Sequence, residues 1–256
     1  AVRVPTMTCA ATAEVVRYCG AVPVLVDCDP VTFNLDLDDA ERKLTQLREG
    51  RLPAAVAATL TPVGVIPVHV GGLMCDMAAV RKFAAEHGLW TVEDAAHTLP
   101  AAWRADERSP WQRCGEATAD VTCYSFYANK TITTGEGGMA VTDDERLAAR
   151  MRCMSLHGLS RDAWDRYRGG SWDYQIIAPG FKYNLTDVAA AVGVHQLRRA
   201  EEFRQAREAV ARAYADELAD LAEIELPPFP ENRLHSWHLF PIALHKGRLT
   251  LDRTAP

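Results

Sequence analysis

A lysine and an aspartate give this chain its first chemical signature. Lys130 ends the run Ser125-Phe126-Tyr127-Ala128-Asn129-Lys130 and is followed by Thr133-Thr134-Gly135-Glu136-Gly137-Gly138, while Asp94 lies upstream in Val92-Glu93-Asp94-Ala95-Ala96-His97. A lysine amine can form a Schiff base with an aldehyde, and a carboxylate beside a pyridine nitrogen keeps that nitrogen protonated. The pair therefore matches what pyridoxal phosphate chemistry requires. Burial and a cationic neighbourhood can leave such a lysine as a free amine near neutral pH. A snorkelling surface lysine and a strand-end aspartate capping a helix are a plainer reading, and spacing alone leaves both open.

The elements around these residues decide whether they can meet. Residues 89–93 form a short apolar run after Gly88, which predicts a buried strand with Asp94 at its carboxyl end; residues 121–127 predict a second, ending just before Lys130. Ligands of open α/β sheets bind at that end of the strands. The glycines after Lys130 permit close approach of a ligand and punctuate a third strand over 139–142. Upstream, 22–26 reads as a strand, 37–47 as a helix and 65–70 as a strand containing Pro67; Asp76 caps a helix that runs to His87 and stops at Gly88. From 187 to about 221 the chain is rich in Ala, Glu, Arg and Leu with only Gly193 interrupting, which predicts one long helix or two joined by a bend. Val188, Ala191, Val192, Val194 and Leu197 give it an apolar side, and Arg198, Arg199, Glu201 and Glu202 suit water. This alternation predicts a mostly parallel sheet covered by helices on both faces. The polar stretch 105–119, with Pro110 and Gly115, reads as a surface insertion near the mouth of the site.

The segments "VEDAAH", "SFYANKTITTGEGGMAVTDD", "SLHGLSRDAW" and "PGFKYNLTDVAAAVGVHQLRRAE" resemble, in order, signatures of the DegT/DnrJ/EryC1/StrS family of pyridoxal-phosphate-dependent sugar aminotransferases. "ATAEVVRYCGAVPVLVDCDPVTFNLD" upstream and "HSWHLFPIAL" downstream resemble the same family. The resemblance implies a fold type I α/β enzyme with pyridoxal 5'-phosphate as cofactor. Lys130 matches the lysine that holds the cofactor and shuttles protons, and Asp94 the acid that pairs with the ring nitrogen. His97 matches a position beside the ring, Ser125 a serine that binds the phosphate, and Asn184 an asparagine that reaches the phosphate from the other subunit of a homodimer. Each has a plainer alternative: a packed core histidine, a strand-face hydroxyl, and a cap for the helix that starts near Thr186 or Asp187. Cys9 departs from the pattern, since it stands where the family has an aromatic ring stacked on the cofactor, and a thiol offers far less stacking area.

The resemblance also implies two domains. Residues 1–226 form the large cofactor-binding domain with its long interdomain helix, and 227–256 the start of the small C-terminal domain, with Pro227-Pro228-Phe229-Pro230 at the break. The family's Gly-Thr-Ala phosphate loop would precede residue 1, so a fragment of a longer product is expected over a degenerate, non-catalytic relative. His157, Trp164 and Arg166 are polar or aromatic and lie in a segment expected to border the site, and no role is assigned to them.

Composition agrees with a soluble enzyme core. The 256 residues are 48% hydrophobic, and a net charge of −6 speaks against a general nucleic-acid surface. No apolar run approaches the roughly 20 residues of a membrane span. Seven scattered cysteines without a Cys-x-x-Cys pair suit a reducing cytoplasm and neither a disulfide framework nor a zinc site. The resulting expectation is transfer of an amino group from an amino acid, L-glutamate by family analogy, to a keto group of a nucleotide-linked sugar. Lys130 speaks against the related sugar 3-dehydratases, which carry histidine there; another fold type I enzyme or a regulatory relative are the alternatives.

Overall fold

The computed structural model describes residues 1–51, 60–160 and 175–245. In chain order the first elements are β1 (Val2–Pro5), α1 (Ala10–Tyr18), β2 (Pro23–Val26), α2 (Leu37–Arg48), β3 (Gly64–Val65), a 3-10 turn (Val70–Gly72), α3 (Met77–His87) and β4 (Trp90–Asp94). They are followed by β5 (Ala102–Trp103), β6 (Gln112–Arg113), β7 (Val121–Ser125), β8 (Gly138–Val141) and α4 (Glu145–Ser155). After the second gap come α5 (Asp187–Arg198), α6 (Ala200–Leu218), β9 (Ile224–Glu225), β10 (Arg233–Leu234) and β11 (Ala243–Leu244). Trp164, Arg166 and residues 246–256 lie outside the described residues.

The central sheet runs β2-β1-β3-β4-β7-β8 and is parallel throughout except for β8, which pairs antiparallel with β7. This is the mainly parallel α/β architecture expected. Local chemistry sets the helix boundaries. Asp36 accepts the Asp38 and Asp39 amides at the start of α2, Asp76 accepts the Ala79 amide at α3, and α3 ends on Gly88 at φ 65°, where a left-handed residue is needed. The main core packs α2 and α3 on one face through Leu44, Met77, Val80 and Phe83, while α1 closes the other face by setting Val16 against Val2, Val4 and Ile66.

Two expectations are corrected. The strand over 65–70 stops at Val65, because Pro67 has no N–H for a ladder; the chain touches β4 again only at the Val68–Asp94 bridge before it turns at 70–72. The stretch 105–119 is more than a surface insertion. Gln112–Arg113 pairs with β5, which in turn pairs with β10, and Cys114 and Thr118 are buried. Of the two forms expected, the long helical segment is two helices joined at Arg199, and no residue of α5 is buried: Val188, Val194 and Leu197 are 79%, 51% and 57% exposed. Among the described residues nothing covers that apolar side.

β1 carries a buried cation. Arg3 is 1% exposed, and its three guanidinium nitrogens have no hydrogen-bond partner among the described residues. Burial depresses its pKa to about 10, with Arg48 adding to the effect and Glu41 opposing it. A lone buried charge is costly, and apolar replacement of buried charges is often stabilising by about 1–4 kcal/mol. Arg3→Leu should therefore raise the thermal midpoint by several degrees in a melting experiment. An unchanged or lower midpoint would show that the guanidinium has a stabilising partner.

Candidate active site

Asp94 ends β4 and Ser125 ends β7, and the two strands are parallel neighbours with Asp94 in register with Cys123. Lys130 follows β7 in a turn closed by its own amide on the Tyr127 carbonyl (3.0 Å). The expected meeting of strand ends is thus present. Asp94 is held on both carboxylate oxygens. Oδ1 accepts the Ala96 amide (3.1 Å), and Oδ2 accepts the Thr12 hydroxyl (3.1 Å), which itself lies 2.6 Å from the Thr8 hydroxyl. Since Thr12 spends its proton on Asp94, Thr8 donates to Thr12. Asp94 closes a turn and does not cap a helix, so the helix-cap alternative does not hold.

His97 lies in that same non-helical turn, with its ring centroid 4.4 Å from that of His238. Burial, His238, Lys130 and His69 together lower the His97 pKa to about 3; burial, Lys130 and Arg207 lower that of His238 to about 4. Both rings are neutral at pH 7, and the charge of Lys130 contributes to lowering both. His97 Nδ1 is buried without a hydrogen-bond partner, which fits a polar ligand atom better than a satisfied core histidine. Lys130 is half-buried and has no acidic partner among the described residues.

A close backbone approach fixes this group. Ser236 donates to the His97 carbonyl and lies against Gly72, where φ is 102° and a Cβ would fall 1.8 Å from the Ser236 hydroxyl. Only glycine fits there. On the far side of Lys130, the Phe126 carbonyl accepts the Thr134 amide and the Thr133 hydroxyl, and Phe126 donates its amide to Gly137 (2.8 Å), so the glycine-rich run folds back against the end of β7.

The remaining predicted residues are placed less directly. Ser125 is half-buried, its hydroxyl accepting the Tyr127 amide (3.3 Å). Cys9 is exposed at the start of α1, three residues before Thr12 and one after Thr8, and makes no capping bond. Asn184 is exposed and accepts from Lys182, beside the stacked rings of Phe181 and Tyr183; Thr186, not Asn184, caps α5. No described contact joins Asn184 to Asp94 or Lys130. Thr12 and His238 are site residues that sequence reasoning missed, although both fall within stretches that carried the family resemblance.

Behind Asp94 lies a buried polar cluster. His69 Nε2 is 2.7 Å from Glu93 Oε1, Glu93 Oε2 accepts the Thr118 and Thr122 hydroxyls (both 2.6 Å), and Cys114 completes three ligand-type atoms within 4.8 Å of one another. The tautomer argues against a metal there. His69 Nδ1 accepts the Cys75 amide (3.0 Å), so Nε2 carries the ring proton and has no lone pair for an ion. A cavity of about 700 Å³ lined by Trp90, Thr91, Asp120 and Thr142 opens at the amino end of β4, away from Asp94. The chemistry of the residues, not cavity size, identifies the site.

The comparisons agree with this geometry. The profile of the DegT/DnrJ/EryC1/StrS aminotransferase family matches residues 1–255. MJ1066 of Methanocaldococcus jannaschii is 40% identical over 96% of the chain, and the spore coat polysaccharide biosynthesis protein SpsC of Bacillus subtilis 37% identical over 97%. The chain spans 59% of the length of each of these relatives. The PLP form of Spr1654 from Streptococcus pneumoniae, assigned to the sugar aminotransferases, superposes with a TM-score of 0.79 at 28% identity, over 96% of this chain and 60% of its own. With a match that runs almost end to end over a sheet bearing Asp94 and Lys130, the chain belongs to the DegT/DnrJ/EryC1/StrS aminotransferases, whose cofactor is pyridoxal phosphate.

Proposed function

We propose that this chain is the cofactor-binding portion of an aminotransferase that moves an amino group from an amino acid, L-glutamate by analogy, to a keto group of a nucleotide-linked sugar. The observation that carries this reading is Lys130, half-buried in the turn after β7, one strand over from a carboxylate fixed on both oxygens. The name of SpsC supports a saccharide acceptor.

The residues fit the cofactor. Asp94 would hold the proton on the ring nitrogen, His97 would lie beside the ring with Nδ1 free to bond, and Ser125 would meet the phosphate. Cys9 would take the stacking position, covering less of the ring than an aromatic side chain. Bound there, pyridoxal phosphate supplies an electron sink for the pair released when a substrate Cα–H bond breaks. Lys130 Nζ would take up and give back that proton, a general acid–base role. Neutral His97 and His238 offer ring nitrogens for hydrogen bonding beside the cofactor and add no charge of their own.

A homodimer completes this reading. The uncovered apolar side of α5, with Phe181 and Tyr183 on the neighbouring segment, is the surface where a second subunit would dock and bring Asn184 to the phosphate. The domain boundary falls near residue 226, before Pro227-Pro228. Seven cysteines without a disulfide suit a cytoplasmic location. No described helix is long and apolar enough to cross a membrane.

The test is borohydride reduction of the protein mixed with pyridoxal phosphate, followed by peptide mapping and then by addition of L-glutamate. A reduced adduct on Lys130 and a glutamate-dependent loss of the visible cofactor band are expected. Absence of the adduct, even when the chain is extended to the length of its relatives, would replace this reading with a non-catalytic role.

A further inference from the structure

Residues 93 and 94 point to opposite faces of β4. Asp94 shares its face with Val92 and α1, whereas Glu93 is fully buried on the other side, among Thr118, Thr122, His69 and Cys114. Burial opposes the charged form of Glu93, but His69 and the two threonine hydroxyls outweigh it and hold the carboxyl below its ordinary range. For His69, burial favours the neutral ring, while the surrounding Cys75, Cys114 and Glu93 favour the charged one and raise its proton affinity. The geometry decides between them. Burial pushes the Cys114 thiol up, so it carries no charge at pH 7, and a second ring proton would need the Nδ1 lone pair that already accepts the Cys75 amide. The cluster is therefore a carboxylate held by three neutral donors, and it carries a full negative charge.

The same cluster grips the peptide of Asp94. The His69 amide donates to the Asp94 carbonyl (3.2 Å) and the Asp94 amide to the Pro67 carbonyl (2.9 Å), while the His69 side chain holds Glu93. One short segment thus fixes the backbone of Asp94 and the side chain of Glu93 together. We infer that Glu93 is a positioning residue for the cofactor site, a second carboxylate behind the sheet that fixes the strand end bearing Asp94 and adds its charge to that of Asp94 in holding a protonated ring nitrogen. The inference rests on the pyridoxal phosphate reading above.

Glu93→Gln separates charge from shape. The amide oxygen can accept from His69 Nε2–H and the amide nitrogen can donate to Thr118 and Thr122, whose hydroxyls turn to accept, so every group keeps a partner. The measurement is the dissociation constant of the apo-protein for pyridoxal phosphate and for its 1-deaza analogue, whose ring has carbon in place of nitrogen and bears no charge. A unit charge about 10 Å away across an effective dielectric of about 20 changes binding roughly tenfold. Glu93→Gln should weaken pyridoxal phosphate by about that factor and leave the analogue unchanged. Equal losses for both ligands would mean a purely structural role, and no loss for either would mean that the charge does not reach the ring; each overturns the inference. Should Glu93→Gln fail to fold, Glu93→Met/His69→Leu removes the carboxylate together with its buried partner and is read in the same way. Wild-type protein that binds neither ligand would instead overturn the cofactor reading itself.

Discussion

Lys130→Ala should leave a folded chain with no borohydride-stable adduct and a rate of amino transfer lower by at least about 10²–10⁴-fold, the range for loss of a general acid–base group, with loss of the covalent link adding to it. The fold should survive because Lys130 is half-buried, lies in a turn, and lends only its backbone amide to the local structure, which alanine keeps. His97 and His238 should respond as well. Lys130 is among the charges that depress both rings, so removing it should raise their pKa values modestly, while burial, the larger cause, still keeps them low. Proton NMR of the imidazole C–H resonances would read that shift. Wild-type rates in Lys130→Ala would remove the lysine from the chemistry, whereas a lost fold would make the turn around Lys130 structural.

Lys130 and Asp94 were legible in the sequence because each is local: an apolar run, then a polar residue at its end. Strand ends are fixed by periodicity and punctuation, and parallel neighbours bring their carboxyl ends together whatever lies between. Thr12, by contrast, reaches Asp94 from 82 positions away, and His238 reaches His97 from a segment after the long helices; no periodicity encodes such contacts. Glu93 illustrates a different limit. An acid inside an apolar run suggests the water-facing side of a strand, yet here three donors from three separate segments allow it to be buried. The stretch 105–119 was misread for the same reason, since its polar composition includes Thr118, a donor to Glu93, and not only solvent-facing residues. The break at Arg199 was left without a position, because helix propensity sees glycine and does not see tertiary packing. Gly193 is tolerated within α5, where its missing side chain leaves room for Thr134, whose methyl group would lie 3.0 Å from a Cβ.

Three histidines in the fold also make acid stability a direct test of the packing around residues 235–238. His235 is buried, stacked on Trp237 with ring centroids 3.9 Å apart, and accepts the Trp237 amide on Nδ1; burial drives its pKa down to about 3, with Glu208 opposing. His97 and His238 are lowered to about 3 and about 4. In the unfolded chain all three return to about 6.5. Between that value and their folded pKa values the unfolded state binds more protons than the native state, so stability falls as pH falls, by about 1.4 kcal/mol per pH unit for each histidine that stays neutral. His235 contributes most, roughly 4–5 kcal/mol at the limit. His97 and His238 contribute less, because solvent screens these partly exposed groups. Glu93 acts in a separate window: its carboxyl is held below the ordinary carboxylate range, so its contribution is lost only as pH falls below that range. Urea midpoints of the apo-protein should therefore fall steadily from pH 7 to pH 5, above the range where carboxylates titrate, and should recover when pH is restored. A flat profile over that interval would mean that the histidines take up protons in the folded state, and with it that the packing around residues 235–238 does not exclude charge from these rings.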